Sequence, residues 1–209
     1  MSNEDVQRRL PKPPASPSLP AMRIAFKEWA VIVDALSRGE QILVIRKGGI
    51  SEGSGGFRVE HPEFVFYPTL FHQQRESVHA AAQARYDQIA AGFPPPEIVR
   101  IDHCAHILDW RRVESLAAAE RLRGQHCWTD EVIARRFDWG REKNVFALAV
   151  RVYRLPQPIE LPVSPAYAGC KSWIELERDI DTREARPVLD DIVFAQQLER
   201  FRTALNPIS

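Results

Sequence analysis

Strand-like and helix-like segments follow one another in this chain without the regular alternation that builds a doubly wound parallel sheet. Helical spacing of apolar residues predicts helices between residues 23 and 39, from Thr69 to about 91, at 113–122, from Thr129 onward and at 188–205. Strands are predicted at 42–45, 57–59, 64–67, 98–108, 145–155 and 171–176. This order predicts an α+β fold, in which a mixed β-sheet is packed with several helices.

Two local signals add detail to this assignment. The continuous apolar run at 42–45 is typical of a central strand that is covered on both faces. Pro68 and Thr69 are typical of a helix start, with Thr69 as the N-cap, and Gly39 is typical of a helix stop.

The N-terminal segment differs from the rest of the chain. Residues 1–21 contain five prolines and almost no apolar periodicity, which predicts a disordered tail. Residues 22–209 are then expected to form a single α+β domain of ordinary size. Translation could begin at Met1 or at Met22, and the sequence leaves both open.

Composition narrows the classes of protein to which the chain can belong. Lys plus Arg and Asp plus Glu are both 28, so the chain as a whole has no net attraction to a polyanion. It has three cysteines, an odd and small number that argues against a disulfide framework and predicts a cytoplasmic location. No apolar run reaches the roughly 18 residues of a membrane span, so no membrane partner is expected.

A basic, glycine-rich stretch follows the predicted strand at 42–45. Arg46 and Lys47 end that strand, Gly48 and Gly49 follow, and three more glycines lie at 53, 55 and 56. Glycine lets backbone amides approach an anion, while Arg and Lys supply positive charge. We therefore expect a phosphate-bearing or other anionic ligand here, although the stretch has neither the Walker nor the dinucleotide-binding glycine spacing.

Other polar side chains are candidates for chemistry near this stretch. Glu28, His61 and His72 are the residue types used for general acid–base catalysis. The phrase GCKS at 169–172 predicts a tight turn that presents Lys171 and Ser172, and Lys171 could stabilise negative charge.

The histidines and cysteines do not predict a bound metal. His103, Cys104 and His106 are residue types that bind zinc, but on a strand His103 and His106 point to opposite faces. The Asp and Glu-x-Lys arrangement of restriction-type nucleases is also absent from the sequence. A transient Mg²⁺ or Mn²⁺ stays open as the cofactor of a hydrolytic site.

Six spaced phrases resemble a prokaryotic family known as domain of unknown function 1802, over about residues 24–176. They are FKEWA at 26–30, IRKGGI at 45–50, His61 and Phe64 followed by YPT at 67–69 and HQ at 72–73, HCWT at 126–129, RVYRL at 151–155 and GCKSW at 169–173. The resemblance implies no known activity, and it suggests a link with restriction–modification or helicase neighbours. The recurring polar positions of the family correspond to Glu28, Arg46, Lys47, His61, Thr69, His72, Gln73, Arg151, Lys171 and Ser172.

Three hypotheses about function remain open on the sequence. The first is a cytoplasmic module that binds a phosphate-bearing ligand or nucleic acid through Arg46, Lys47, the glycines, His72 and Lys171. The second is a metal-dependent hydrolase or nuclease that uses Glu28, His61 and His72. The third is a structural subunit that docks another protein through the glycine stretch and the C-terminal helix.

Overall fold

The structure, a computed structural model, describes residues 21–47, 59–71 and 74–206. Its strands are β1 (Met22–Trp29), β2 (Leu43–Arg46), β3 (Glu63–Thr69), β4 (Ile98–Val113), β5 (Val145–Pro162), β6 (Trp173–Ile180) and β7 (Arg186–Pro187). Its helices are α1 (Ala30–Ser37), α2 (Ala80–Ala91), α3 (Leu116–Glu120), α4 (Asp130–Asp138) and α5 (Asp191–Leu205). Within these residues no helix combines the length and the apolar character needed to cross a membrane.

The strands of the described residues form one seven-stranded sheet. Six of them follow the order β2-β5-β4-β3-β1-β6, and β7 pairs with β5. β1 runs parallel to β3, whereas the other pairs are antiparallel. This mixed sheet, together with the five helices, confirms the predicted α+β class.

The first half of the first predicted helix is wrong, because β1 occupies Met22–Trp29 and α1 begins only at Ala30. Ala25 of β1 pairs with Val65 on one side and with Ile174 on the other. Backbone hydrogen bonding along both edges outweighs the helical spacing of the side chains, which is a weak local preference. The predicted stop is confirmed: α1 ends at Ser37, and Gly39 adopts a φ of 69° that favours glycine.

The strand at 42–45 is confirmed, but its predicted central position is wrong. β2 lies at the edge of the sheet, where β5 is its one described strand partner. Leu43, Val44 and Ile45 are nevertheless fully buried, as predicted for a covered strand. Arg136 of α4 donates from Nη1 to the Ile45 carbonyl at 2.7 Å, so a side chain covers part of this edge.

The helix predicted from Thr69 begins later than expected. Thr69 is the last residue of β3, where it pairs with Trp29 of β1, and its Oγ1 accepts a hydrogen bond from the Phe71 amide at 3.0 Å. The α-helix of this region starts only at Ala80. The prediction of Thr69 as an N-cap is therefore wrong, because pairing with β1 keeps Pro68 and Thr69 extended.

The remaining elements follow the predictions with shifted ends. β4 and β5 pair along most of their length, so β5 includes the proline-rich segment that continues to Pro162. α4 begins directly after Thr129 as predicted, while α3 and β6 start a few residues later than expected. The predicted tail lies outside the described residues except for Ala21, and the strand predicted at 57–59 lies outside them except for Val59, which is not in a strand.

Apolar side chains bury the two faces of the sheet in separate clusters. Along β3, Phe64 and Phe66 face the larger cluster beneath the helices, whereas Val65 and Tyr67 face a smaller cluster beside β6. Successive side chains of a strand point to opposite faces, so one short apolar strand contributes to both cores.

Helix α5 closes the larger cluster. Phe194 and Phe201, which the sequence places on one stripe, are both buried there. The helix begins with an N-cap in which Asp190 Oδ1 accepts from the Val193 amide at 2.8 Å. The predicted amphipathic C-terminal helix is thus confirmed, with its start at Asp191.

We expect Phe201→Ala to lower the free energy of unfolding by about 3–5 kcal/mol, because it empties a fully buried site. Ile192→Ala on the same helix is the control, since Ile192 is 73% exposed, and it should change stability by no more than about 0.5 kcal/mol. Urea unfolding followed by circular dichroism measures both. Equal effects of the two substitutions would contradict the packing of α5 on the sheet.

Candidate functional site

A cleft of about 490 Å³ opens where β1, β2 and β3 end, between α4 and the turn that precedes β6. Among the residues that the structure describes, its lining consists of Lys27, Glu28, Trp29, Ile45, Arg46, Lys47, Tyr67, Thr69, Phe71, Arg136, Ala168, Gly169, Cys170 and Lys171. Five of these side chains are basic and one is acidic, so the lining is strongly cationic although the chain as a whole is neutral.

Arg46 joins elements that lie far apart in the order of strands. Its Nη2 donates to Ser172 Oγ at 2.6 Å, and its Nη1 lies 3.6 Å from Glu28 Oε2. The guanidinium also lies 5.0 Å from the ring centroid of Phe26. Because β2 is at one edge of the sheet and β1 and β6 are at the other side, these contacts require the sheet to curve until the two sides meet.

Glu28 is the acidic group of the described lining, and its side chain is fully buried. Oε1 accepts from the Trp29 amide at 2.7 Å, whereas Oε2 accepts no hydrogen bond within the described part of the chain. A buried carboxylate needs nearby positive charge, and Arg46 supplies it through the ion pair. Arg136 contributes a further favourable electrostatic interaction with Glu28.

Arg136 is held on the wall of the cleft by aromatic rings. Its guanidinium lies 3.9 Å from the ring centroid of Trp128 and 5.5 Å from that of Trp29, which is the geometry of cation–π contacts. Burial lowers the pKa of Arg136 to about 10, although the charge of Glu28 opposes this effect. The side chain therefore remains a cation at neutral pH.

Two lysines of the lining are fixed by backbone carbonyls. Lys47 Nζ donates to the carbonyls of Glu142 at 2.5 Å and Asn144 at 2.8 Å, so it ties the end of β2 to the start of β5. Lys27 Nζ donates to the carbonyl of Tyr167 and, at 3.1 Å, to that of Gly169, which anchors the turn before β6. Burial lowers the pKa of both ammonium groups.

Lys171 and Phe71 extend the lining toward solvent. Lys171 is exposed and forms no ion pair with a described residue. Phe71 is 63% exposed, an unusual position for a large apolar ring. A charged tip and an aromatic face thus lie near the entrance of the cleft.

The structure brings together five of the predicted site residues and places two others elsewhere. The cleft is lined by Glu28, Arg46, Lys47, Thr69 and Lys171. Ser172 is not part of the lining, but its Oγ accepts a hydrogen bond from Arg46. Arg151 lies away from it, since its Nη2 donates to Asp191 at 2.5 Å and its guanidinium covers the ring of Phe194. His61 packs its ring against Trp173 and does not line the cleft. Gly48, Gly49, His72 and Gln73 lie outside the described residues.

The sequence profile of a domain of unknown function, DUF1802, matches residues 25–200. The chain belongs to the DUF1802 family. No curated protein matches it. Among solved structures it is similar to the ASCH protein from Zymomonas mobilis, with a TM-score of 0.42 and 11% identity over 84% of this chain and 92% of that one. A single-substitution mutant of that protein gives a TM-score of 0.40 and 12% identity over 84% and 95% of the two chains.

Sequence reasoning missed several side chains of the cleft in this DUF1802 chain. The prediction of a helix between residues 23 and 39 hid Lys27 and Trp29, because a helix would place them apart from the ends of the strands. Arg136 belongs to the predicted helix after Thr129, and no local pattern separates it from the neighbouring Arg135. Arg136 lies far from β2 in the sequence, so the sequence does not show that its side chain donates a hydrogen bond to the Ile45 carbonyl.

The donor set of the described residues does not form a metal site. His103 and His106 face opposite sides of β4, as strand alternation predicts, since His103 lies near α1 whereas His106 packs near Tyr153. No group of three or more His, Cys, Asp or Glu side chains within this part of the chain is arranged to hold an ion. In the cleft itself Glu28 is the one carboxylate of the described lining.

The three thiols of the DUF1802 chain have different surroundings. Cys104 and Cys127 are buried, and burial raises the pKa of each to about 12. Cys170 is exposed in the lining of the cleft, in the turn whose carbonyls bind Lys27. All three are free cysteines.

His126 is buried near α1 and α2, and its Nδ1 has no hydrogen-bond partner among the described residues. Burial lowers its pKa from 6.5 to about 4, although the charge of Asp130 opposes the effect. The unfolded chain therefore binds a proton at a higher pH than the folded chain does, so stability is lost as pH falls from about 6.5 toward 4.

Removal of the Glu28 charge should weaken the contact with Arg46. We expect a double-mutant cycle of Glu28→Gln and Arg46→Met to give a coupling free energy of about 0.5–3 kcal/mol in urea unfolding, because the two groups meet in a desolvated site. The exposed ion pair of Arg123 with Asp130, at 2.7 Å, is the matched control and should show weaker coupling. Additive effects of the two cleft substitutions would rule out a stabilising ion pair.

His126→Gln should reduce the acid sensitivity of the fold. With a folded pKa of about 4 and an unfolded value of 6.5, the histidine costs about 2 kcal/mol of stability at pH 5 relative to pH 7.5. Unfolding free energies of both proteins at these two pH values measure the difference. The same loss in the variant and in the wild type would show that His126 is not buried in the neutral form.

Proposed function

We propose that the cleft binds a phosphate-bearing ligand, specifically a nucleotide unit of a single-stranded nucleic acid. The observation that carries this proposal is the convergence of Lys27, Arg46, Lys47, Arg136 and Lys171 on one cleft, whose lining among the described residues contains a single carboxylate. Cations grouped in a concave site attract phosphate groups locally, even where the net charge of the chain is zero.

Aromatic side chains favour a nucleotide over inorganic phosphate or an acidic peptide. Trp29, Tyr67 and Phe71 lie in the same lining as the cations, and Phe71 is the most exposed of them. Bases stack on aromatic rings without regard to sequence while basic side chains follow the backbone. A cleft of about 490 Å³ also lies within the usual range for a ligand of this size.

The cations divide into two groups with different roles in this proposal. Protein oxygens accept hydrogen bonds from four of them, Lys27, Arg46, Lys47 and Arg136, so these four set a fixed positive potential and hold the walls in place. Lys171 is exposed, and we assign it the direct contact with a phosphate group. This division predicts that Lys171 changes binding without changing the fold.

The other two hypotheses receive less support from the described residues. A metal-dependent hydrolase needs several oxygen or nitrogen ligands, and Glu28 is the one carboxylate of the described lining, while His61 packs on Trp173. A docking role for α5 would rest on Ile192 and Val193, whose exposed side chains are ordinary for a surface helix. A cytoplasmic location and a role in DNA processing are part of the same proposal, and the free cysteines fit a reducing compartment.

We expect the full chain to bind a fluorescent single-stranded oligonucleotide of DNA or RNA with an affinity that falls steeply as salt rises. Lys171→Ala should lower the slope of log affinity against log salt by about 1, because one phosphate contact is lost. Arg183→Ala is the control, since Arg183 is exposed and lies outside the cleft, and it should keep the wild-type slope. Fluorescence anisotropy at several salt concentrations measures all three proteins.

Two results would contradict the proposal. Affinity that does not change with salt would exclude phosphate contacts. Equal slopes for the wild type, Lys171→Ala and Arg183→Ala would place the bound strand somewhere other than the cleft.

A further inference from the structure

A second concave region, of about 270 Å³, adjoins the cleft at the C-terminal end of α4. Its described lining consists of Lys47, Arg135, Arg136 and Trp139, and we call this region the α4 pocket. Lys47 and Arg136 also line the cleft, so the two concave regions share a wall. A ligand that extends from the cleft into the α4 pocket therefore stays in contact with positively charged side chains.

The charged side chains that line the α4 pocket are all basic among the residues that the structure describes. Arg135 is exposed and forms no ion pair with a described residue. Two acidic residues that lie close to it in the chain are paired with other cations. Asp138 Oδ1 lies 3.4 Å from Lys143 Nζ, and Glu142 Oε2 lies 2.9 Å from Arg112 Nη2. The charge of Arg135 is thus available to an external anion.

Lysine side chains cover the end of α4. Uncovered carbonyl groups there would repel an anion, because the dipole of a helix is negative at its C-terminus. Lys47 Nζ donates to the Phe137 carbonyl at 3.3 Å, and Lys143 Nζ donates to the Asp138 carbonyl at 2.6 Å. A phosphate group beside Trp139 therefore meets ammonium groups in place of bare carbonyl oxygens.

Trp139 gives the α4 pocket an aromatic ring that is open to solvent. It follows the last residue of α4 in extended backbone, and it is 49% exposed, although tryptophan is on average a well-buried residue. Arg136 lies over the rings of Trp29 and Trp128, whereas no aromatic or cationic side chain in the described part of the chain stacks on Trp139. Its ring is therefore available to stack on a base.

We propose that the α4 pocket is a second nucleotide site, in which a base stacks on Trp139 and Arg135 contacts the adjoining phosphate group. Lys47 and Arg136 belong to both sites, so one single strand follows a basic path from Lys171 in the cleft to Arg135. The α4 pocket acts as a second site only where the cleft is the first, so it rests on the function proposed above. The preferred ligand is accordingly a strand of several nucleotides in place of a free nucleotide.

Ligand length separates the two sites. Unlabelled thymidine monophosphate and oligothymidylates of two, four and eight nucleotides compete with a fluorescent strand for the full chain, and anisotropy gives each affinity. The wild type should bind the longest strand at least about tenfold more tightly than the monophosphate, because a stacked base and a phosphate contact are added. Trp139→Ala should weaken binding of that strand at least about fivefold and leave the affinity for the monophosphate unchanged.

An abasic unit, placed at each position of the strand in turn, removes one base and keeps its phosphate group. At one position it should weaken binding to the wild type without weakening binding to Trp139→Ala further, because both changes remove the same stacking contact. Trp139→Phe keeps an aromatic ring and should retain most of the affinity. Arg135→Ala should lower the slope of log affinity against log salt by about 1 for the longest strand and by nothing for the monophosphate.

Ile192→Ala and Arg183→Ala are the matched controls, since they change an exposed apolar residue and an exposed arginine outside both linings. Both should bind every ligand as the wild type does. Salt-dependent binding that is the same in Trp139→Ala and the wild type at all lengths would overturn the second site alone. A loss of monophosphate binding in Trp139→Ala that circular dichroism shows to be folded would also overturn it. Absence of salt-dependent binding of any strand to the wild type would overturn the cleft proposal as well.

Discussion

The contact of Arg46 with Glu28 and Ser172 links the two sides of the sheet. β2 is an edge strand, and its last residue extends a guanidinium group to β1 and to the turn before β6. A carboxylate as deeply buried as that of Glu28 is unfavourable without a cation. These contacts thus stabilise the curvature of the sheet, and two of the three side chains, Glu28 and Arg46, also line the cleft.

Much of the positive charge around the cleft is part of the structure of the protein. Lys47 fastens the end of β2 to the start of β5, and Lys27 fastens the turn before β6 through main-chain carbonyls. Ammonium groups held in this way lose little further conformational entropy when an anion arrives, since they are already ordered. A cationic surface can therefore be prepared for a ligand while most of its charges, such as those of Lys27 and Lys47, have a structural partner.

The sequence allowed the class of fold and most of the elements to be predicted, because long apolar runs such as 145–155 and the stripe of α5 determine their own structure. It failed where pairing with distant strands decides the outcome. Phe26, Trp29 and Ala30 fit a helix by spacing, yet β1 forms because β3 and β6 flank it. In the cleft, residue type was enough to find Glu28, Arg46, Lys47, Thr69 and Lys171. It was not enough to find Arg136 and Phe71, because their positions depend on how α4 and the end of β3 pack.

The uneven burial of the thiols makes the cleft accessible to chemical labelling. Cys104 and Cys127 lie in the interior, where attack by a water-soluble maleimide is blocked, while Cys170 stands at the margin of the cleft. The unaltered protein thus carries its own attachment point for a fluorophore or a nitroxide spin label. A dye placed there would report directly on occupancy of the cleft, with no engineered residue in the fold.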